Sequence, residues 1–502
     1  MALIRLSLET FARSGDRDIS KRFKGEAWQA WPYRSYAQTF SAAERWWHAA
    51  TTDLKGVDPR HEQIVAFMAR QMLDLASPAN CALTNPYVNQ AAVDTGGQNF
   101  VQGARYWIED MNRMITGEAR RADGYAVGDN MATTPGDVVV RTDLMELIRY
   151  RPTTQTIRPE PVLIVPAWIM KYYILDLEPQ RSMVAYLRDK GFEVFILSWK
   201  NPGSADADFT LQSYIDLGVR AALDHVAPKD QRQVHAVGYC LGGTLLSMTA
   251  AAMGRDGDSR LRSLTLLASQ VDFAEPGELG LFINESQVAF LEDIMKTQGY
   301  LEAHQMAGAF QMLRSTDLIW SRMVRHYLLG ERTDSNALMA WNSDATRMPA
   351  AMHSEYLRQL YLNNALAKGR FQVDGSSVAL TDIRCPIYCV GTERDHVSPW
   401  RSVYKLLLLS DTDVSFVLTN GGHNGGVLSE PGHKGRHFRV RQKDEQGPYL
   451  SAEDWFDACD PQSGSWWDHW TDWLADRSQS EIPSSTRPET AICAAPGTYV
   501  FD

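Results

Sequence analysis

Two spacings of apolar residues divide the chain. Up to about residue 117 they recur at helical intervals: Phe40, Trp46 and Trp47, then Ile64, Phe67, Met68, Met72 and Leu73. Pro78-Ala-Asn-Cys-Ala-Leu-Thr-Asn-Pro86 interrupts with turn and cap residues, and a second helix is expected from about Val88 to Met114. Residues 1–117 therefore read as a helical N-terminal domain. Its aromatic positions are expected to form core, with a self-association surface as the competing use.

From Gly124 the pattern is that of strands. Tyr125-Ala-Val-Gly128 and Val138-Val-Val-Arg141 read as opening antiparallel strands, and Glu146 to Tyr150 leads into another. Pro161-Val-Leu-Ile-Val165 and Phe192-Glu-Val-Phe-Ile-Leu-Ser-Trp199 are continuous apolar runs, as expected for strands buried on both faces. Val234–Val237 and Ser263–Ser269 repeat the pattern, with helices expected from Arg181 and over Leu211–Val226. This alternation predicts an α/β fold with a mostly parallel, doubly wound sheet over 118–502.

The alternation stops between Asp272 and about Leu380. An insertion of that length reads as a cap, about 273–380, over the strand tips. Phe290, Ile294, Met295, Phe310 and Met312 would give it mobile apolar surface, able to gate a site. Sheet strands resume at Pro386–Gly391 and Val414–Leu418. In the tail, Trp466, Trp470 and Trp473 share one helix face, expected to pack on the body, with a dimer or polymer surface as the alternative.

Composition narrows the function classes. A net charge of −11 over 502 residues argues against a general nucleic-acid binder. No apolar run reaches the ~18 residues of a transmembrane helix. Six cysteines without paired spacing, apart from Cys385 and Cys389 beside one apolar strand, suggest no disulfide scaffold and no metal site. A reducing cytoplasm fits that usage.

The candidate chemistry begins at Val234-His-Ala-Val-Gly-Tyr-Cys240-Leu-Gly-Gly-Thr244. An apolar strand, a turn with the pattern Gly-x-Cys-x-Gly and a small-residue helix make the nucleophile elbow of α/β-hydrolases, with Cys240 as nucleophile. The N–H of Leu241 would face an oxyanion, and a second donor is expected after the Pro161–Val165 strand, at Trp168 or Ile169. The later strands lead into Glu393-Arg-Asp395-His396 and Gly421-Gly-His423. The order Cys240, Asp395, His423 is that of nucleophile, acid and base in this fold. Asp272 and Glu393 compete for the acid, while His433 and His437 are expected to be solvated. A cysteine in place of serine favours transfer over hydrolysis, because a bound thioester keeps the acyl group activated.

Further segments carry a family likeness: Ser77-Pro-Ala-Asn80, Lys171-Tyr-Tyr-Ile-Leu-Asp-Leu177, Ser198-Trp-Lys-Asn-Pro202, Trp341-Asn-Ser-Asp-Ala-Thr346, Gly464-Ser-Trp-Trp467 and Ala495-Pro-Gly-Thr-Tyr-Val500. With the elbow, they make a chain that resembles the polyhydroxyalkanoate synthases, most closely the class I type, over nearly its whole length. The resemblance implies a polymerase of (R)-3-hydroxyacyl-CoA, with 3-hydroxybutyryl-CoA as the expected substrate. Cys240 would take the acyl group, CoA would leave, and the 3-hydroxyl of the next unit would attack. The resemblance also implies the Cys240–Asp395–His423 triad, no cofactor beyond the CoA thioester substrate, a homodimer, and attachment to the growing polyester granule. Met170 stands where members commonly carry Asn, and Asn424 follows the base where an aliphatic residue is usual. Glu430-Pro-Gly-His-Lys-Gly-Arg-His437 is unusually basic. The alternatives are a thioesterase or esterase-type hydrolase of the same fold, and a non-catalytic granule-associated protein.

Overall fold

The computed structural model describes residues 20, 22–116, 124–229, 232–306, 308, 315–332, 336–484 and 490–502. They fall into two units: Met1–Arg120 with Gly308–Asp334, and Arg121–Ala307 with Ser335–Asp502.

The first unit is helical. Its helices α1 (Tyr33–Thr51), α2 (Pro59–Leu75), α3 (Pro86–Asp94) and α4 (Gln98–Thr116) follow the apolar spacing. Asp58 and Asn85 start α2 and α3: their side chains accept the first free N–H groups, and Pro fills the next position. The helix expected over Val88–Met114 is broken in two. Gly96 and Gly97 take left-handed backbone, at φ +59° and +83°, which ends α3 and restarts the chain as α4. Phe23, Trp28, Ala37 and Phe40 form a small core, whereas Trp47, Met68 and Met72 are exposed.

Part of the segment expected as cap belongs to this unit. Asn99 donates to the Leu328 carbonyl at 2.7 Å, the Tyr327 hydroxyl donates to Asp110 at 3.0 Å, and Arg332 pairs with Glu109 and Asp110. Gly103 lets the backbones meet, since a Cβ there would lie 2.0 Å from the Tyr327 carbonyl oxygen. Polar partners on α4 thus draw 315–332 away from a single continuous cap.

The second unit is built on one sheet of eleven strands among the described residues. In chain order these are β1 (Asp137–Arg141), β2 (Met145–Tyr150), β3 (Val162–Val165), β4 (Val194–Trp199), β5 (Val234–Tyr239) and β6 (Leu261–Leu267). After the insertion come β7 (Ile387–Thr392), β8 (Val414–Thr419), β9 (His437–Lys443), β10 (Gln462–Ser463) and β11 (Cys493–Ala494). Across the sheet they run β10-β9-β8-β7-β6-β5-β3-β4-β2-β1-β11. The six strands from β8 to β4 are parallel, with antiparallel strands at both edges. β3, β4, β5, β7 and β8 are buried along their whole length, which is why their sequences are mostly apolar rather than alternating.

Tyr125–Gly128 is not a strand. Asn130 accepts from the Ala126 N–H and donates to the Gly124 carbonyl, so a local side-chain turn takes the backbone groups that a ladder would need. Of the cap's apolar residues, Met295 is buried and Phe290 exposed, while Phe310 and Met312 lie outside the described residues. Within this unit the insertion's two flanks meet the strand tips. A Cβ on Gly277 would lie 2.7 Å from the His396 carbonyl oxygen, and the Tyr356 ring stands 6.1 Å from Trp168.

Candidate active site

The turn after β5 holds Cys240 at φ +53°, ψ −126°, a conformation that costs a non-glycine residue of order 1–3 kcal/mol and is kept only where its surroundings enforce it. The enforcement is steric. A Cβ on Gly238 would lie 2.2 Å from the Gly243 Cα, and one on Gly242 would lie 2.1 Å from the Val165 carbonyl oxygen. Strand, turn and the following helix α5 (Leu241–Arg255) can meet only because those positions lack side chains. Leu241 opens α5, so its N–H belongs to the set with no acceptor inside the helix.

His423 begins a single helical turn, His423–Val427, after β8. Its imidazole Nδ1 lies 2.8 Å from Asp395 Oδ2, and Cys240 is close enough to the ring to influence its charge. Asp395 follows β7 with its side chain fully buried. Oδ1 accepts from the N–H groups of Val397 and Ser398, at 2.9 and 2.8 Å, and Oδ2 accepts from the Thr392 hydroxyl as well as His423. Four acceptances suit a carboxylate, and they fix its plane.

So short a helical turn needs outside support, and its last carbonyls receive it. The indoles of Trp466 and Trp467 donate to the carbonyls of Gly426 and Val427, at 3.0 and 2.9 Å. Arg436 donates to those of Gly425 and Leu428. The indoles of Trp470 and Trp473 bond Thr265 and Ser415, so all four tryptophans of helix α6 (Trp466–Arg477) are buried in the body. They form no exposed surface.

The electrostatics favour a charged imidazole. Burial works against the charge and is the largest single influence on His423. The Asp395 carboxylate, the neighbouring Cys240 and the hydrogen bond to Asp395 outweigh it, holding the imidazole well above its ordinary range. An imidazole so held beside Cys240 can take the thiol proton and keep it while sulfur attacks, as the base of a nucleophilic pair must.

The loop expected to give the second oxyanion donor is held by Thr346. Its hydroxyl donates to the Trp168 carbonyl at 2.6 Å, and its N–H donates to that of Ile169 at 3.1 Å. In a trans peptide C=O and N–H point opposite ways, so the Ile169 N–H is turned away from Thr346. The loop starts at the Val165–Pro166 carbonyls that crowd Gly242, which brings it against the elbow.

The competing acids lie elsewhere. Asp272 accepts from the Ala274 N–H and from Asn364, and Glu393 stands 3.5 Å from His437. His396 is exposed. His433 and His437, expected to be solvated, each meet a carboxylate: His433 bonds Glu430 at 2.8 Å, and His437 starts β9. The basic loop is partly structural, since Arg436 points inward. The supports from Thr346 and Trp466 lay within sequence segments already singled out, but nothing in their spacing tied them to the site. Asn424, seen in the sequence only as a departure, accepts from the Tyr239 hydroxyl beside the nucleophile.

Comparison with known proteins adds the family. Residues 19–187 match the model of the poly-beta-hydroxybutyrate polymerase (PhaC) N-terminus, and residues 160–425 match the alpha/beta hydrolase fold. The chain is 38% identical to a poly(3-hydroxyalkanoate) polymerase of Methylorubrum extorquens, over 96% of this chain and 80% of that one. The chain belongs to the poly(3-hydroxyalkanoate) polymerase family. Members from Rhizobium meliloti and Cupriavidus necator, each described as a poly(3-hydroxyalkanoate) polymerase subunit, are 37% and 33% identical over 96% of this chain, covering 79% and 82% of theirs. As a polymerase of this family it is an acyltransferase-type enzyme on an α/β-hydrolase fold. No helix among the described residues is long and apolar enough to cross a membrane.

Proposed function

We propose that this polyhydroxyalkanoate synthase builds its polyester through a Cys240 acyl-enzyme, with (R)-3-hydroxybutyryl-CoA as its preferred unit. The carrying observation is the Asp395–His423 hydrogen bond with Cys240 beside the ring, at the tips of three parallel strands. The Cys240 thiolate attacks the thioester carbonyl, and the N–H groups of Leu241 and Ile169 hold the oxyanion. The carbon–sulfur bond to CoA breaks, and the departing thiolate takes the proton from His423. The 3-hydroxyl of the next unit then gives its proton to His423 Nε2 and attacks the Cys240 thioester. Sγ leaves, and the chain is longer by one ester. Asp395 keeps Nδ1 protonated and compensates the imidazolium. No step draws on a metal or cofactor.

Attachment to the polyester and a homodimer belong to the same proposal, with a cytoplasmic setting. Their support is on α4, where Val101, Trp107, Ile108, Met114 and Ile115 leave a row of apolar side chains exposed. A cap over the strand tips would keep water from the acyl-enzyme, supported by the Tyr356–Trp168 contact.

Purified protein given (R)-3-hydroxybutyryl-CoA should release CoA and form a high-mass polyester, measured by thiol titration and product sizing. Release of CoA with only free 3-hydroxybutyrate as product would make the chain a thioesterase instead.

A further inference from the structure

The triad leaves one short bond beside it without a role. Tyr239, the last residue of β5, directly precedes Cys240, and Asn424 directly follows His423. The Tyr239 hydroxyl donates to Asn424 Oδ1 at 2.6 Å. The Tyr239 ring is buried and lies 5.8 Å from the His423 imidazole, with 33° between the planes.

Sheet geometry gives this bond its importance. Nucleophile and base sit on β5 and β8, with β6 and β7 between them. Three strand steps of ~4.8 Å put the two strands roughly 14 Å apart, so backbone pairing cannot set the distance from Sγ to the imidazole. The segment after β8 must reach back across two strands. Asp395 fixes the rotation of the His423 ring, but from the end of β7. Trp466, Trp467 and Arg436 hold the far end of the helical turn. The Tyr239–Asn424 bond joins the turn that carries the base to the strand that carries the nucleophile, one residue from each reacting group.

We propose that Tyr239 and Asn424 are a positioning pair that sets the spacing between the Cys240 sulfur and His423 Nε2. This rests on Cys240 and His423 being nucleophile and base. Neither member touches the acyl group. Their effect falls on the rate of thiol attack and of proton transfer, both of which need the heavy atoms within hydrogen-bond reach.

The test is a double-mutant cycle of Tyr239→Phe and Asn424→Leu, read as kcat and KM for (R)-3-hydroxybutyryl-CoA and as the rate of Cys240 alkylation by iodoacetamide. Tyr239→Phe removes one oxygen and keeps the ring, so it decides alone if Asn424→Leu fails to fold. Each single variant should lower kcat about tenfold, with KM within about twofold and alkylation slowed in parallel. The double variant should lose no more than the worse single one, because both remove the same bond. A Tyr239→Phe protein with unchanged kcat and alkylation rate overturns the proposal, as do losses that multiply in the double variant. Cys240→Ala runs beside them. If it still turns over, the nucleophile assignment fails whatever Tyr239→Phe does; if it is dead while Tyr239→Phe is unaffected, only the positioning pair falls.

Discussion

Strand β5 carries opposite chemistry at its two ends. At its start His235 is fully buried between two serine hydroxyls, with Ser263 Oγ 2.7 Å from Nδ1 and Ser478 Oγ 3.0 Å from Nε2. Burial, then the charges of Arg262, Arg477 and Arg158, pull its pKa down to about 3. At the far end Cys240 meets His423, whose side chain is 15% exposed and whose pKa is held well up despite the same pull of burial. The neighbours differ in charge: cations and neutral hydroxyls at one end, the Asp395 carboxylate and the Cys240 sulfur at the other. The cysteines repeat the lesson. In the apolar surroundings beside and within β7, burial pushes Cys385 up to about 12 and Cys389 higher still, so neither is a nucleophile. Burial makes a group expensive to charge, and the sign of what surrounds it decides whether it charges at all.

The two ends should therefore respond differently when altered. The largest effect belongs to Cys240→Ala, expected to cut CoA release by at least about a thousandfold while the urea unfolding midpoint stays near that of the unmodified protein. Asp395→Asn should lower kcat by roughly a thousandfold or more, by leaving His423 in the wrong tautomer, whereas Asp272→Asn should cost only a few-fold in matched assays. A greater loss from Asp272→Asn would move the acid to that residue.

His235→Leu should do the opposite, with kcat kept and stability lowered by about 1–3 kcal/mol as the buried Ser263 hydroxyl and the half-buried Ser478 hydroxyl lose a partner. The pH dependence separates the ends further. His235 has a folded-state pKa below its unfolded value of about 6.5, so its contribution is full above that pH and is lost as pH falls toward 3. His423 has a raised folded-state pKa, so its contribution is full below about 6.5 and is lost as pH rises through the folded value. Urea midpoints between pH 4 and 9 should show His235→Leu flattening only the acid side. The smallest effect is expected away from both ends. Arg358 holds Glu292 down to about 2, and Glu292→Gln should cost under about 1 kcal/mol, a loss that shrinks as pH falls from 4.5 toward 2.

The sheet and its three tip residues were legible because their chemistry is local. A strand buried on both faces reads as a mostly apolar run without alternation, and an elbow must carry small residues at Gly238 and Gly242. What the sequence concealed depends on partners far along the chain. Segment 315–332 joined the N-terminal helices through Arg332 and Tyr327, whose partners lie more than two hundred residues away. The tryptophans of α6 announced a helix face but not the carbonyls of Gly426 and Val427 that they cap. Local turn chemistry accounts for the rest: Asn130 won Tyr125–Gly128 from the strands, and Gly96–Gly97 divided a helix whose apolar spacing ran on across the break.

Mass spectrometry of protein quenched during turnover tests most directly whether Cys240 carries the growing acyl group. Supplied with (R)-3-hydroxybutyryl-CoA, the peptide containing Cys240 should gain the mass of one or more hydroxybutyryl units, and hydroxylamine should remove them as expected of a thioester. Full CoA release with the added mass on another residue, and none on the Cys240 peptide, would contradict it.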